Sequence, residues 1–162
     1  MNGYYLNVTV HVLAALFWLG GMFFLAVVGA PVLRAVEPPE LRKELFRRLG
    51  EGYRRAGWIA IGVLVVTGVV NLWYRGVLDD LGDGAFWATS YGHALGWKLG
   101  AVTTMLVVQG LHDFIYGPRA SRVVPGSPEQ LRVRRRAAWM ARANAIIGVI
   151  LVFAAVRLAR GG

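Results

Sequence analysis

The sequence has no cysteine among its 162 residues. This absence excludes disulfide bonds, zinc sites built on thiolates and iron–sulfur clusters, all of which need cysteine sulfur. It also removes the thiolate ligands that copper(I) prefers and leaves four scattered methionines as sulfur donors. The sequence therefore gives little support to direct copper binding, whereas a metal centre held by nitrogen ligands stays open.

Acidic residues are also scarce. Nine Asp and Glu stand against 18 Lys and Arg, which gives a net charge of +9. A basic chain can bind nucleic acid, but here the basic residues lie at the ends of apolar runs and do not alternate with exposed aromatic residues. We interpret the charge as a signal of membrane topology and expect no nucleic-acid partner.

Apolar residues are abundant. They make up 56% of the chain, and the mean hydropathy of +0.49 is far above that of a soluble domain. Four runs reach the roughly 20 apolar residues that a membrane-spanning helix needs, over about 5–33, 56–74, 92–116 and 138–157. The predicted fold class is all-α, an integral membrane four-helix bundle that forms a single domain over residues 1–162. We expect it to be multi-pass in a bacterial-type cytoplasmic (inner) membrane.

The basic residues set the predicted orientation. The connections after the first and third spans are rich in them, whereas the connection between residues 75 and 91 has one. By the positive-inside rule, the first and third connections face the cytoplasm and both termini lie on the outer side. The basic residues are Arg34, Arg42, Lys43, Arg47, Arg48, Arg54 and Arg55 in the first connection, and Arg119, Arg122, Arg132, Arg134, Arg135 and Arg136 in the third.

The two cytoplasmic connections differ in predicted structure. Pro38-Pro39-Glu40 is typical of a helix start, and the leucines that follow at four-residue spacing predict a short amphipathic helix at the cytoplasmic interface. The prolines and glycines of the segment 117–128 predict a loop. Residues 1–5 have no basic residue before the first apolar run, so we expect that run to remain as a helix and not to be cleaved as a signal peptide.

An imidazole, His11, stands inside the first apolar run. Ionisable groups inside membranes usually face a bundle interior and mark a site. At about 100° per residue, His11 shares a helix face with Asn7 and Trp18, and Gly20-Gly21 beside them would let another helix or a flat ligand approach closely. His11 is a predicted metal or haem ligand, and the alternative is a polar residue bonded to Asn7 or to a carbonyl.

The third span carries two more histidines and a lysine. Lys98 costs about 2.5–3.5 kcal/mol inside a membrane, so it either snorkels to the outer headgroups or serves as a counter-ion or axial ligand. His93, at the start of the span, and His112, near its other end, are each either interfacial residues or ligands. Depth along the spans pairs His11 with His93 or Lys98 and leaves His112 for a second, inner site.

Two short motifs resemble the copper resistance protein D family of bacterial membrane proteins. One is His11-x6-Trp18-x-Gly20-Gly21. The other is Tyr91-Gly92-His93-x4-Lys98-Leu99, which is similar to that family's Tyr-Gly-Arg-x4-Lys-Leu segment, with His93 in place of the arginine. The related bacterial membrane protoporphyrinogen oxidases are four-helix haem b proteins that share the first motif. The resemblance nominates His11 and Lys98 as site residues, whereas Gly96 stands where the oxidases have a histidine, which argues against porphyrinogen oxidation.

We therefore predict a b-type haem protein that transfers electrons or oxidises a small substrate near the outer membrane face. One haem, or two, would be bound by the following residues: His11 and His93 as axial ligands, Lys98 as the alternative to His93, Trp18 and Gly21 beside the haem, and His112, with Met22 or Met140, for a second haem. The alternatives are a copper transport or homeostasis protein, a protoporphyrinogen oxidase-like enzyme, and a non-catalytic membrane partner protein. Expected partners are membrane lipid, a redox protein or a quinone-like small molecule, and a second copy in a homodimer.

Overall fold

A computed structural model describes residues 3–122 and 127–160, apart from the side chains of residues 120–122 and 134. Every element in these ranges is helical, which confirms the all-α prediction. The chain divides into two compact units, Met1–Asp80 and Leu81–Gly162. Each unit is built on two long antiparallel helices that pack against each other.

The first unit contains helices α1 and α2. Helix α1 comprises an α-helix Gly3–Phe24, a π-helical stretch Leu25–Gly29 and a last α-helical turn Ala30–Arg34. Helix α2 is a single α-helix, Pro39–Tyr74. The connection between them is four residues long, residues 35–38, so α2 returns directly along α1.

The predicted amphipathic helix does not exist as a separate element. Its predicted start is right, but residues 39–55 form the charged first part of α2 and run without a break into the apolar part. Arg47 bridges Glu44 and Glu51, and Arg48 also binds Glu44, at spacings that stabilise a continuous helix. Hydrogen bonds from Arg47 and then Arg48 lower the pKa of Glu44, which precedes the apolar stretch, to about 2.

The boundary between the two units lies within a 3-10 turn, Asp79–Gly82. A short helix α3, Gly84–Trp87, is capped by Asp83, whose carboxylate accepts the Ala85 N–H at 2.9 Å. Helix α4 starts at Ser90 and comprises an α-helix Ser90–Gly110, a π-helical stretch Leu111–Tyr116 and an α-helix Gly117–Arg122. Helix α5 is Pro128–Ala159.

The predicted loop 117–128 is mostly helical where it is described. Its first six residues continue α4, residues 123–126 lie outside the described residues, and α5 begins at Pro128 and not near residue 138. Pro128 does not prevent this, because it stands in the first turn of α5, where the missing N–H has no partner to lose. Pro118 lies inside α4, two residues after the π-helical stretch.

Within residues 3–122 and 127–160, four helices are long and apolar enough to cross a membrane, which confirms the predicted number of spans. Their bounds are Gly3–Arg34, Pro39–Tyr74, Ser90–Arg119 and Pro128–Ala159. The helices are longer than the predicted apolar runs because charged turns extend each of α2 and α5 beyond its apolar part.

Candidate functional site

His11 is held by a hydroxyl group of the neighbouring helix. Its Nδ1 lies 2.7 Å from Oγ1 of Thr67 on α2. The Thr67 hydroxyl donates to the Val63 carbonyl at 2.6 Å, so the oxygen accepts from the Nδ1–H of His11. The neutral ring then carries its lone pair on Nε2, and this is the arrangement in which histidines bind metals while their other nitrogen is fixed by a hydrogen bond.

Other polar side chains of the first unit surround this pair. The Asn7 amide donates to the Thr67 carbonyl and to Asn71 Oδ1, both at 2.9 Å. The imidazole lies beside Gly68, where an added Cβ would make an ordinary van der Waals contact, 3.6 Å from His11 Cε1. His11, Asn7, Thr67 and Asn71 therefore form one polar cluster between α1 and α2.

This cluster was partly visible in the sequence. Thr67 and Asn71 stand one turn apart on α2, as Asn7 and His11 do on α1. The two helices are antiparallel, so a step of one turn forward along α1 corresponds to a step of one turn backward along α2. Asn7 therefore meets Asn71, and His11 meets Thr67. The sequence did not predict the Thr67 hydroxyl as a partner of His11.

Trp18 and Gly21 lie where α1 meets α2. Trp18 is 3% exposed, and its ring lies beside Gly57, where a Cβ would be 3.6 Å from Trp18 Cδ1. The Tyr53 hydroxyl donates a hydrogen bond to the Trp18 carbonyl. The Tyr53 ring also covers Gly21, because its Cζ lies 3.1 Å from the position of an added Cβ. Both residues thus pack the helix pair, and their role beside a haem stays a prediction.

His93 lines an open groove in the second unit, with a volume of about 660 Å³. Small residues at four-residue spacing on α4, among them Gly96 and Gly100, share this groove with Trp97 and with Ile147 of α5. Among the described residues that line it, His93 is the titratable one. Lys98 is half-buried and does not line the groove, because five residues of helix turn it about 140° away from His93.

His112 belongs to a hydrogen-bonded chain that crosses from α5 to α4. The Asn144 amide donates to Gln109 Oε1 at 2.6 Å, and the Gln109 amide donates to Asp113 Oδ2 at 2.8 Å. His112 Nδ1 lies 2.9 Å from the other carboxylate oxygen, Oδ1. Asp113 is 7% exposed and Asn144 is 1% exposed, so this network lies inside the second unit.

The geometry fixes how the His112 ring is oriented. A carboxylate accepts hydrogen bonds, so Nδ1 of His112 donates to Asp113 and the neutral ring has its lone pair on Nε2. Carboxylates commonly orient metal-binding histidines in this way. Both residues lie in the π-helical stretch of α4, and such stretches are frequent at functional sites.

Sequence reasoning gave Asp113 and Asn144 no functional role. Asp113 was visible as a neighbour of His112, and Asn144 as a polar residue in an otherwise apolar helix. The signal that joins them is Gln109, which lies one turn before Asp113 on α4 and bonds Asn144 on α5.

Clusters of the usual metal ligands are absent from the described residues. No group of three or more His, Cys, Asp or Glu side chains is placed there to hold a metal ion. The described residues therefore do not form a four-ligand site of the kind typical of structural zinc.

Comparison with known proteins identifies the family. A family model described as copper resistance protein D matches residues 47–158, a range that contains His93, Lys98 and His112 but not His11. An uncharacterized protein of Aquifex aeolicus (strain VF5) is 32% identical over 152 residues, which cover 93% of this chain and 92% of that protein. No solved structure matches the chain significantly. The protein, with its four helices that can span a membrane, belongs to the copper resistance protein D family.

Proposed function

We propose that this protein handles copper within the bacterial cytoplasmic membrane, as a transport or homeostasis protein. The observation that carries the proposal is that two histidines inside the membrane-spanning helices each have Nδ1 in a hydrogen bond, as metal-binding histidines commonly do. Thr67 orients His11 in the first unit, and Asp113 orients His112 in the second. The family description points to the same metal.

Imidazole is a suitable ligand for copper, and it does not demand the thiolates that this chain lacks. Sites with few ligands also suit an ion that is passed on and not kept. Conduction requires binding that is strong enough to admit the ion and weak enough to release it. Each unit offers one such oriented histidine, so each can hold copper by its own residues.

The proposal is tested by copper content in cells. A copper-sensitive bacterial host would express the wild type, His11→Ala, His112→Ala or Gly20→Ala, each at matched membrane levels. Gly20→Ala is the control, because an added Cβ there meets nothing within 4 Å. We expect the wild type and the control to change cellular copper and growth on copper equally, and each histidine variant to lose most of that change.

Two results would contradict the proposal at different points. A wild type that leaves copper content as in cells with an empty vector would reject the copper function. A wild-type effect that survives in both histidine variants would keep the function and reject the assignment of the histidines.

Haem binding is the second candidate, favoured by the groove beside His93. The glycines of α4 and the indole of Trp97 make an apolar surface for a flat ligand, and His93 supplies one nitrogen ligand. The fit is incomplete, because the described residues that line the groove include no cation to pair with the propionates. Electron transfer, small-substrate or porphyrinogen oxidation and use of a quinone-like molecule all depend on this haem and stay predictions.

Visible spectroscopy of the detergent-purified protein tests the haem candidate. A haem b would give a Soret band that shifts on reduction with dithionite, and His93→Ala should alter it. A protein that stays colourless after reconstitution with haem would exclude this candidate and leave the copper proposal intact.

A further inference from the structure

The hydrogen bond between Gln109 and Asn144 sets the register of α4 against α5. The two helices are antiparallel, so one turn forward from Gln109 on α4 lies level with one turn back from Asn144 on α5. The first step reaches Asp113 and its neighbour His112, and the second reaches Met140. The π-helical stretch of α4 packs against α5, and Met140 shares the helix face of the buried Asn144. The fold thus brings a thioether and an oriented imidazole to one level of the second unit.

Hydrogen bonds fix the buried carboxylate that orients the imidazole. Asp113 is 7% exposed in a membrane-spanning helix, and Gln109 and His112 donate hydrogen bonds to its two oxygens. Within the described residues, the buried Oδ1 of Asn144 has no hydrogen-bond partner, which leaves an oxygen acceptor one turn from Met140.

We propose that Nε2 of His112 and Sδ of Met140 form a copper(I) site in the second unit, with Asp113 as the residue that positions the imidazole. This inference rests on the proposed copper function and names the ligands of one site. Thioether sulfur and imidazole nitrogen are ligands that the soft copper(I) ion accepts, and two ligands suffice for it. Zinc usually takes three or four protein ligands, and the described residues group no such set, so the site discriminates against zinc.

Asp113 acts through His112. A partner that fixes the orientation of a metal-binding histidine typically contributes about 10–100-fold to metal affinity. Asp113→Asn keeps the shape and loses the carboxylate. We expect it to weaken copper(I) binding by about 10–100-fold while both ligands, nitrogen and sulfur, remain on the metal.

The test uses the purified full-length protein in detergent, kept anaerobic with copper(I) as the probe. Affinity is measured by competition with a chromogenic copper(I) chelator, and the ligand atoms by X-ray absorption at the copper edge. Met140→Leu and His112→Ala remove the proposed ligands. Met105→Leu is the matched control, because Met105 is a buried methionine on α4 two turns from His112, and Met→Leu exchanges are well tolerated in packed cores.

We expect the wild type to show one sulfur ligand, Met105→Leu to match it, and Met140→Leu to lose that sulfur with at least a tenfold weaker affinity. His112→Ala should weaken binding at least as much. Wild-type affinity and an unchanged sulfur signal in Met140→Leu would overturn the proposed site. Thermal unfolding followed by circular dichroism checks that each variant is folded. If Met140→Leu does not fold, Met140→Gln, which removes the sulfur and keeps the side-chain length, takes its place.

The result is separate from the test of the function. Copper(I) bound through nitrogen and sulfur in a protein that leaves cellular copper unchanged would keep the site and reject the transport role. A change in cellular copper that persists in Met140→Leu, with no sulfur on the metal in the wild type, would keep the role and reject the site.

Discussion

Gly21→Ala should destabilise the first unit, although it improves the intrinsic helix propensity of α1. An added Cβ would stand 3.1 Å from both Cζ and the hydroxyl oxygen of Tyr53, so the ring must move. Movement breaks the hydrogen bond from Tyr53 to the Trp18 carbonyl, which contributes about 1 kcal/mol, and overpacking adds about 1–3 kcal/mol. The exchange of glycine for alanine in a helix returns about 1 kcal/mol. The net loss is about 1–3 kcal/mol.

Gly20→Ala provides the matched control. The neighbouring position has nothing within 4 Å of an added Cβ, so the same exchange should stabilise α1 by up to about 1 kcal/mol. Reversible unfolding in mixed detergent and SDS, followed by far-UV circular dichroism, measures both free energies of unfolding. In a Tyr53→Ala background the loss caused by Gly21→Ala should disappear, because the ring that it strikes is gone.

The reasoning is refuted if Gly21→Ala unfolds at the same SDS fraction as Gly20→Ala. In that case the Tyr53 ring moves aside without lowering the free energy of unfolding, and packing does not require glycine at position 21. Its predicted place beside a cofactor would then be the better explanation of the glycine pair.

Three further outcomes follow from the structure. Thr67→Val keeps the shape of the side chain but leaves the Nδ1–H of His11 without its acceptor. It should lower the free energy of unfolding by about 1–3 kcal/mol, measured by SDS unfolding. It should also weaken copper binding by about 10–100-fold, measured by chelator competition. Gly92→Ala should lower stability by about 1–3 kcal/mol in the same unfolding assay, because its Cβ would strike a backbone carbonyl of α3 that cannot swing aside, whereas Gly100→Ala faces open space and should not. Asp80→Cys, introduced into a chain without cysteine, should react with a membrane-impermeant maleimide in intact cells if the termini lie outside, and labelling only after permeabilisation would reverse the predicted orientation.

The sequence identified one histidine in each of the two clusters but not the residues to which it is connected. His11 and His112 stood out because an imidazole in an apolar run is rare, and Thr67, Asn71 and Gln109 were recognisable as polar residues in the same spans. Their partners depend on which helix faces are in contact. That information lies in the rotation and register of two helices and not in either helix alone.

Two predictions were wrong, the separate amphipathic helix and the loop over residues 117–128, and both errors have a physical explanation. The prolines and charges near residues 39 and 128 suggested a short helix and a loop. A proline is also favoured in the first turn of a helix, so the same residues are compatible with the start of a long helix. The ion pairs of Glu44 with Arg47 and Arg48 then carry α2 through a charged segment. Local composition could not decide between a separate interfacial helix and an extension of the span.

The sequence by itself determined that the chain has four membrane-length helices, because the bilayer thickness sets the number of apolar residues that each needs. It also determined that thiolate chemistry is absent and that histidines are the candidate ligands. Only the tertiary structure decided that Thr67 holds His11 and that Asn144 bonds Gln109. The physical reason is that a hydrogen bond between residues far apart in the chain requires two helices in one register, which the packing of whole helix faces sets.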